Sequence, residues 1–374
     1  MKIALIRAKY DPYGGAEKFV ETAIDALAKE SISLTILTRQ WPKHVDSTSK
    51  VAHQLVNPPY FTTAGRDRSF AQAVCHLLAR EKFDLVQAHE RIACCDVYRA
   101  GDGVHAEWLA QRARISSPLR RFFTTLNPHH RYVLKAEREL FYSPRLKAVI
   151  CNSQMVKQDI IRHFAVDESK LHVIYSGVDN QKFMPDLRKE LRVPCRQQLG
   201  IRPDAPIALF VGSGFERKGL DVFLRAVATL PEWHAVVVGK DKHLPRYRAL
   251  AKTLGLAGRS TFTGGVKDAR PYYAASDVFA LPTLYDPFPN ACLEAMACGL
   301  PVITSQTSGA AELIVKGENG FVVDARDVSA LSEALSRALA QPVMGWAARE
   351  KVLPYTPQAM AARYVALYRQ LLCC

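Results

Sequence analysis

Asp286 and Glu294 are carboxylates eight positions apart in the stretch DPFPNACLEAMACGLPV, and the residues between them say what they can do. Pro287 and Pro289 keep the backbone extended ahead of Asn290. Asn290 has the side chain of a helix cap, Ala291 to Cys298 suit a helix, and Gly299 followed by Pro301 is a stop signal. This pattern predicts a loop carrying Asp286 and a helix carrying Glu294 one turn in. The unpaired N–H groups at such a helix start attract phosphate, and flanking carboxylates accept hydrogen bonds from hydroxyls. A ligand that is part sugar and part phosphate suits the combination. Two solvated acids on an ordinary strand-to-helix connection are the bland alternative.

A second constellation lies in IALFVGSGFERKG, residues 207 to 219, where Gly212 and Gly214 follow an apolar run and Arg217 and Lys218 come next. A glycine-bearing loop lets backbone approach phosphate, and adjacent cations can neutralise a diphosphate, unless they merely decorate the surface. Gly14 and Gly15 sit in the first loop of the chain and read equally well as any tight turn. That loop, RAKYDPYGGAE, lacks the GxGxxG spacing, which disfavours a dinucleotide. No two aspartates are separated by a single residue, and no cysteines or histidines stand at zinc spacing. Charge neutralisation therefore falls to Arg217, Lys218 and helix N-termini, and neither metal nor cofactor is expected. Asp102, in YRAGDGVH with His105 close behind, would end a strand; it can orient a hydroxyl or cap the next helix.

Residues 105 to 147 hold nine cations, among them Arg112, Arg114, Arg120, Arg121, Arg131 and Lys135, against three acids, a balance of +6. Trp108, Leu109, Phe122, Phe123, Tyr132 and Phe141 interleave with them. Ser117-Pro118 and Asn127-Pro128 each read as a cap followed by a first helical proline, which predicts two basic amphipathic helices. Such helices suit an anionic membrane face or a phosphorylated glycolipid, each well-placed cation contributing about 1 kcal/mol. A solvated basic face with its aromatics in the core is the plain alternative.

These residues need a scaffold to position them. Apolar runs at Lys2–Ile6, Leu34–Leu37, Leu85–Ala88, Ala148–Cys151, Ala208–Val211, Ala235–Val238, Val278–Leu281 and Val302–Thr304 alternate with helical patterns. That alternation implies parallel sheets covered on both faces. At 374 residues the chain is long enough for two domains, and the proline-bearing stretch 184–206 reads as their connection. We read two Rossmann-like domains, residues 1–184 and 185–355, facing across a ligand cleft, then a helix over 356–374 with Thr356 as cap and Met360, Tyr364, Leu367 and Leu371 as its apolar stripe. The net charge of +14 and pI near 9.4 point to anionic partners. No segment approaches a membrane span or a signal-peptide core, so a cytoplasmic protein, peripheral to a membrane at most, is expected. The nine cysteines are expected to be reduced and mostly buried.

Phe288, Pro289, Asn290, Leu293, Glu294, Ala295, Met296, Ala297, Gly299, Pro301 and Val302 closely match the acid-x7-acid motif of the family 4 retaining glycosyltransferases, which the chain resembles over nearly its whole length. Asp286 and Pro287 stand where that motif has Glu and Gly, which leaves the first acid a methylene short. The resemblance implies a GT-B fold whose last helix crosses back onto the first domain. It implies that Arg217 and Lys218 bind the donor diphosphate and that the Gly14-Gly15 loop contacts donor phosphate and acceptor; with no Asp-x-Asp motif in the chain, transfer is expected to be metal-independent. Motif order and the basic insert most resemble the lipopolysaccharide core glucosyltransferase I group, which also has Asp where Asp102 stands. A hexose, glucose from UDP-glucose, moving to an inner-core heptose of lipopolysaccharide is the expected reaction. The rivals are a family member with another lipid-linked or polysaccharide acceptor and a UDP- or GDP-sugar, and a basic nucleic-acid-binding protein, for which no motif is visible.

Overall fold

The computed structural model describes residues 2–9, 33–40 and 52–372. Gly14, Gly15 and Cys373–Cys374 lie outside those residues. The chain divides into two compact units, Met1–Ser176 together with Pro357–Cys374, and Gly177–Thr356.

The first unit is a seven-stranded parallel sheet built from β1 (Lys2–Ile6), β2 (Ser33–Thr38), β3 (Ala52–Leu55), β4 (Leu85–Ala88), β5 (Val97–Ala100), β6 (Ala148–Cys151) and β7 (Leu171–Val173). Their order in space is β3-β2-β1-β4-β5-β6-β7. Among the described residues, helices α1 (Thr63–Leu78), α2 (His105–Arg114), α3 (Pro118–Leu126), α4 (Pro128–Phe141) and α5 (Gln154–Phe164) also belong to it. Along β1 the side chains alternate between two cores, as the pleat requires. Ala4 and Ile6 join the cluster of Phe70, Val74 and Val156, while Ile3 and Leu5 join one that includes Met360, Tyr364 and Tyr368.

The second unit is a six-stranded parallel sheet, β8 (Ile207–Val211), β9 (His234–Val238), β10 (Ser260–Gly264), β11 (Val278–Leu281), β12 (Val302–Ser305) and β13 (Gly320–Val323), in the order β10-β9-β8-β11-β12-β13. Helices α6 (Leu187–Gln198), α7 (Phe215–Lys218), α8 (Leu220–Ala228), α9 (Leu244–Thr253), α10 (Arg270–Ala275), α11 (Asn290–Ala297), α12 (Val328–Leu339) and α13 (Val343–Val352) surround it. The last helix, α14 (Pro357–Leu372), belongs to the first unit and buries Met360, Tyr364 and Leu367 there, as its stripe predicted. Both strand orders reverse direction once, between β1 and β4 and between β8 and β11. Crevices at such reversals, at the carboxyl ends of the strands, are where open α/β sheets bind ligands.

Two expectations are corrected. The stretch 184–206 is no connection: it contains α6, whose Arg188, Arg192 and Arg196, spaced four apart, all pair with Asp277. Those pairs and bonds to the carbonyls of Ala275 and Ser276 hold a helix that keeps Pro194 in its interior. The thiols are not all reduced either. Packing of α1 on the β4–β5 connection brings the Cα atoms of Cys75 and Cys94 to 5.8 Å, and the two form a disulfide, while Cys95, Cys151, Cys195, Cys292 and Cys298 are free and buried. Among the described residues, no helix is long and apolar enough to cross a membrane.

Candidate active site

In the second unit β8 ends at Val211, and Gly212-Ser213-Gly214 leads into the single turn α7. Phe215 is driven inward, where it meets Phe210 and Tyr247 edge-on, so Arg217 and Lys218 are carried on a turn with a buried root. Gly219 then takes a left-handed φ of 75°, and a Cβ there would lie 1.9 Å from the carbonyl oxygen of Pro282. Only glycine lets this turn approach the segment after β11 so closely. The Arg217 carbonyl accepts bonds from Leu284 N (2.8 Å) and Thr283 Oγ1 (2.8 Å), and its guanidinium reaches the Tyr285 carbonyl at 3.4 Å.

That approach places Lys218 Nζ against Asp286 Oδ2, an ion pair whose side chains are only 11% and 7% exposed. Asp286 is fixed from behind: its N–H donates to the Thr307 carbonyl at 3.0 Å and its own carbonyl accepts from Gly309 N at 2.9 Å. Phe288 and Pro289 are buried and lead into α11. The helix begins one residue earlier than expected. Asn290 is its first helical residue, Pro289 occupies the cap position, and the Pro289 carbonyl accepts from Cys292 N at 3.0 Å, so Asn290 is not the cap. Glu294 lies one turn in, and the phenol of the fully buried Tyr273 donates to its Oε2 at 2.9 Å. Burial first, and then the Glu294 charge, hold the Tyr273 hydroxyl well above the usual phenol range, so it stays a donor. Nothing near Glu294 in sequence signals Tyr273, which comes from a separate helix.

The first unit gathers polar groups at its own reversal point. Glu90, after β4, accepts from Ala8 N at 3.0 Å and from Arg7 Nη1 at 3.4 Å, both following β1. Burial raises the Glu90 carboxyl, with Arg7 opposing. Beside it, His89 is buried and hydrogen-bonded to Gln87, and burial, then Arg99 and Arg7, keep its imidazole far below the ordinary range. Asp102 follows β5 and is exposed; it does not cap α2, whose cap position is Val104. Glu137 of α4 does that work instead, accepting from His105 N at 2.6 Å and Ala106 N at 3.3 Å while paired with Arg91 at 2.9 Å. A carboxylate supplied from another helix leaves no local sign in sequence. Arg112 and Arg114 lie on α2, Arg120 and Arg121 on α3, Arg131 and Lys135 on α4, the last paired with Glu139 at 3.6 Å. A cavity of about 180 Å³ between these helices is lined by Leu109, Arg112, Arg121, Thr124, Arg131 and Leu134.

The model of Glycosyltransferase Family 4 matches residues 13–182, and that of Glycosyl transferases group 1 matches residues 194–356. The chain belongs to these glycosyltransferases. The lipopolysaccharide glucosyltransferase WaaG of Escherichia coli K12 is 28% identical over 363 residues, covering 93% of this chain and 92% of WaaG. The lipopolysaccharide core biosynthesis glycosyltransferase LpsE of Rhizobium meliloti 1021 is 26% identical over 87% of this chain and 86% of LpsE. The crystal structure of WaaG matches with a TM-score of 0.82 at 26% identity, covering 98% of this chain and 99% of that one. The fold is therefore the GT-B fold of two Rossmann-like domains.

For a glycosyltransferase of this fold, the second-unit cluster offers a cationic turn, a carboxylate held against it and a further carboxylate on a helix start. Together these complement a phosphate-and-hydroxyl ligand. The first unit offers neutral imidazoles. Burial first, then Arg91 and His130, hold His105 down to about 3. With a folded value below the unfolded one near 6.5, the contribution is neutral above that pH, and below it the unfolded chain takes up the proton first. Stability should fall as pH drops, by about 1.4 kcal/mol per pH unit or roughly 2 kcal/mol by pH 5. In urea melts at pH 7 and pH 5, His105→Gln should reduce this loss; an equal loss in the variant would contradict it.

Proposed function

We propose that this glycosyltransferase moves a hexose, glucose from UDP-glucose, onto an inner-core heptose of lipopolysaccharide with retention of configuration. The observation that carries the reading is the Lys218–Asp286 pair beside Arg217 at the reversal point of the second sheet, with Glu294 on the helix that follows. The relatedness to WaaG and LpsE supports the acceptor class. Arg217 and Lys218 hold the diphosphate and stabilise the charge that grows on it as the bond from sugar C1 to phosphate oxygen breaks. Asp286 takes sugar hydroxyls, and Glu294 those of the ribose. The acceptor hydroxyl attacks C1 on the face the nucleotide leaves, and its proton passes to the departing phosphate. This route asks for no protein base and no metal, and Asp102 serves to orient a hydroxyl.

The same reading places the first unit on the anionic inner face of the cytoplasmic membrane, where the phosphorylated glycolipid acceptor resides. Helix α3 buries none of its residues and presents Leu119, Phe122, Phe123 and Leu126 to solvent, with Arg120 and Arg121 between them. Apolar side chains on a basic helix of this kind enter a bilayer interface while the arginines meet lipid phosphates.

The test is transfer from UDP-glucose, UDP-galactose, UDP-N-acetylglucosamine and GDP-mannose to heptose-terminated core acceptors, with and without EDTA. Glucose transfer that survives EDTA, giving the configuration of the donor, is expected. Preference for another donor would shift the substrate assignment, and dependence on manganese would remove the metal-free mechanism.

A further inference from the structure

We propose that the Tyr60–Phe61 loop is a second point at which the first unit enters an anionic phospholipid bilayer, an inference that rests on the membrane-facing reading of α3. Phe61 is completely exposed and Tyr60 is 49% exposed. Their exposure is not slackness of the chain. The base of the loop is clamped by the buried Arg39, whose Nη1 donates to Asn57 Oδ1 at 2.8 Å and to the Pro58 carbonyl at 2.9 Å, and whose guanidinium lies 5.0 Å from the Tyr60 ring. Its second terminal nitrogen, Nη2, donates to the Arg66 carbonyl and to Ser69 Oγ inside α1. Pro58 and Pro59 stiffen the approach further. One exposed phenylalanine alone is ordinary; it is as part of a larger exposed apolar surface that such a residue marks an interaction site.

The helix register says where that tip points. Asp67 of α1 meets His129 of α4 at 3.3 Å, the Arg68 guanidinium lies 5.6 Å from the Tyr132 ring, and Phe70 lines one small cavity with Val133 and Ala136. The partners ascend together in both helices, so α1 and α4 run parallel and begin at the same end of the unit. Thr62 caps α1 and Asn127 caps α4. What precedes each cap is Tyr60–Phe61 in one case and α3, with exposed Phe122, Phe123 and Leu126, in the other. Both apolar projections therefore leave from one end of the first unit, with exposed Arg66, Arg68, Arg120, Arg121 and Arg131 nearby in the same two segments. Protruding aromatics ringed by arginines fit a fluid anionic surface better than a recessed partner pocket. Two separated insertion points also fix how the unit is turned on that surface, which a single helix does not.

The experiment is co-sedimentation of the full chain with vesicles of phosphatidylglycerol and phosphatidylethanolamine, against phosphatidylcholine alone. Phe61→Ser should weaken partitioning onto the anionic vesicles about tenfold, the scale expected for losing one buried phenylalanine. Its melting temperature and its turnover on a water-soluble truncated acceptor should stay those of the wild type. Phe61→Trp should partition like the wild type, and its added fluorescence should be quenched by bromine-labelled acyl chains. Wild-type partitioning of Phe61→Ser, or no added quenching in Phe61→Trp, overturns the proposal; if Phe122→Ser still lowers binding, the α3 reading survives. A wild type that ignores anionic vesicles overturns both.

Discussion

Lys218→Ala is expected to lower turnover by about 10²- to 10³-fold, the usual effect of losing one preorganised group that stabilises charge in the transition state. It should also destabilise the second unit, because Asp286 would then keep its charge in a site that is 7% exposed with its cation gone. Stranding one member of a buried pair costs about 3 kcal/mol or more. The two losses have different origins, and a second substitution separates them. Lys218→Ala with Asp286→Asn removes both charges, so stability should recover most of its loss while turnover stays low. Denaturant midpoints and turnover at saturating donor would be measured for both single variants and the double. Full turnover in the double variant would reduce Lys218 to a structural partner of Asp286. A single variant as stable as the wild type would mean the pair carries no stability.

Much of this site was legible because its determinants are local. The two prolines before α11, the glycines around α7 and the caps Ser117 and Asn127 each act within a few residues, and the structure places loop, turn and helices where they predict, with α11 one residue early. The central strands were legible for a related reason: buried on both faces, they are short uninterrupted apolar runs. The edge strands were not. β3 reads AHQL and is largely exposed, and β10 reads STFTG with every residue intermediate, so neither carries the pattern that marks a buried strand. β5 was legible only through its end at YRAGDGVH, because its run carries Arg99, a buried cation whose Nε donates to the Tyr364 hydroxyl of α14 at 3.0 Å. The same blindness to distance hid the function of α6, the Cys75–Cys94 bond, and the service of Glu137 to α2. Each depends on a partner far along the chain, and spacing within a segment says nothing of it.

Tyr273 belongs to this long-range class, and it sharpens what Glu294 is expected to do. A carboxylate that receives a buried phenol on one oxygen is held in a single rotamer, which lowers the entropy lost when it takes up a ligand hydroxyl. Glu294→Gln should weaken UDP binding by tenfold or more, the range for a hydrogen bond to a charged group. Tyr273→Phe should weaken it by a smaller factor, since the carboxylate remains but is less firmly aimed. Because both effects are assigned to the ribose hydroxyls, they should largely vanish when calorimetry is repeated with 2′,3′-dideoxy-UDP. If instead the variants lose as much affinity for the dideoxy nucleotide as for UDP, Glu294 does not act on the ribose, and Tyr273 supports the helix rather than the ligand. Unchanged affinity for UDP itself in Glu294→Gln would take the acid out of the donor site altogether.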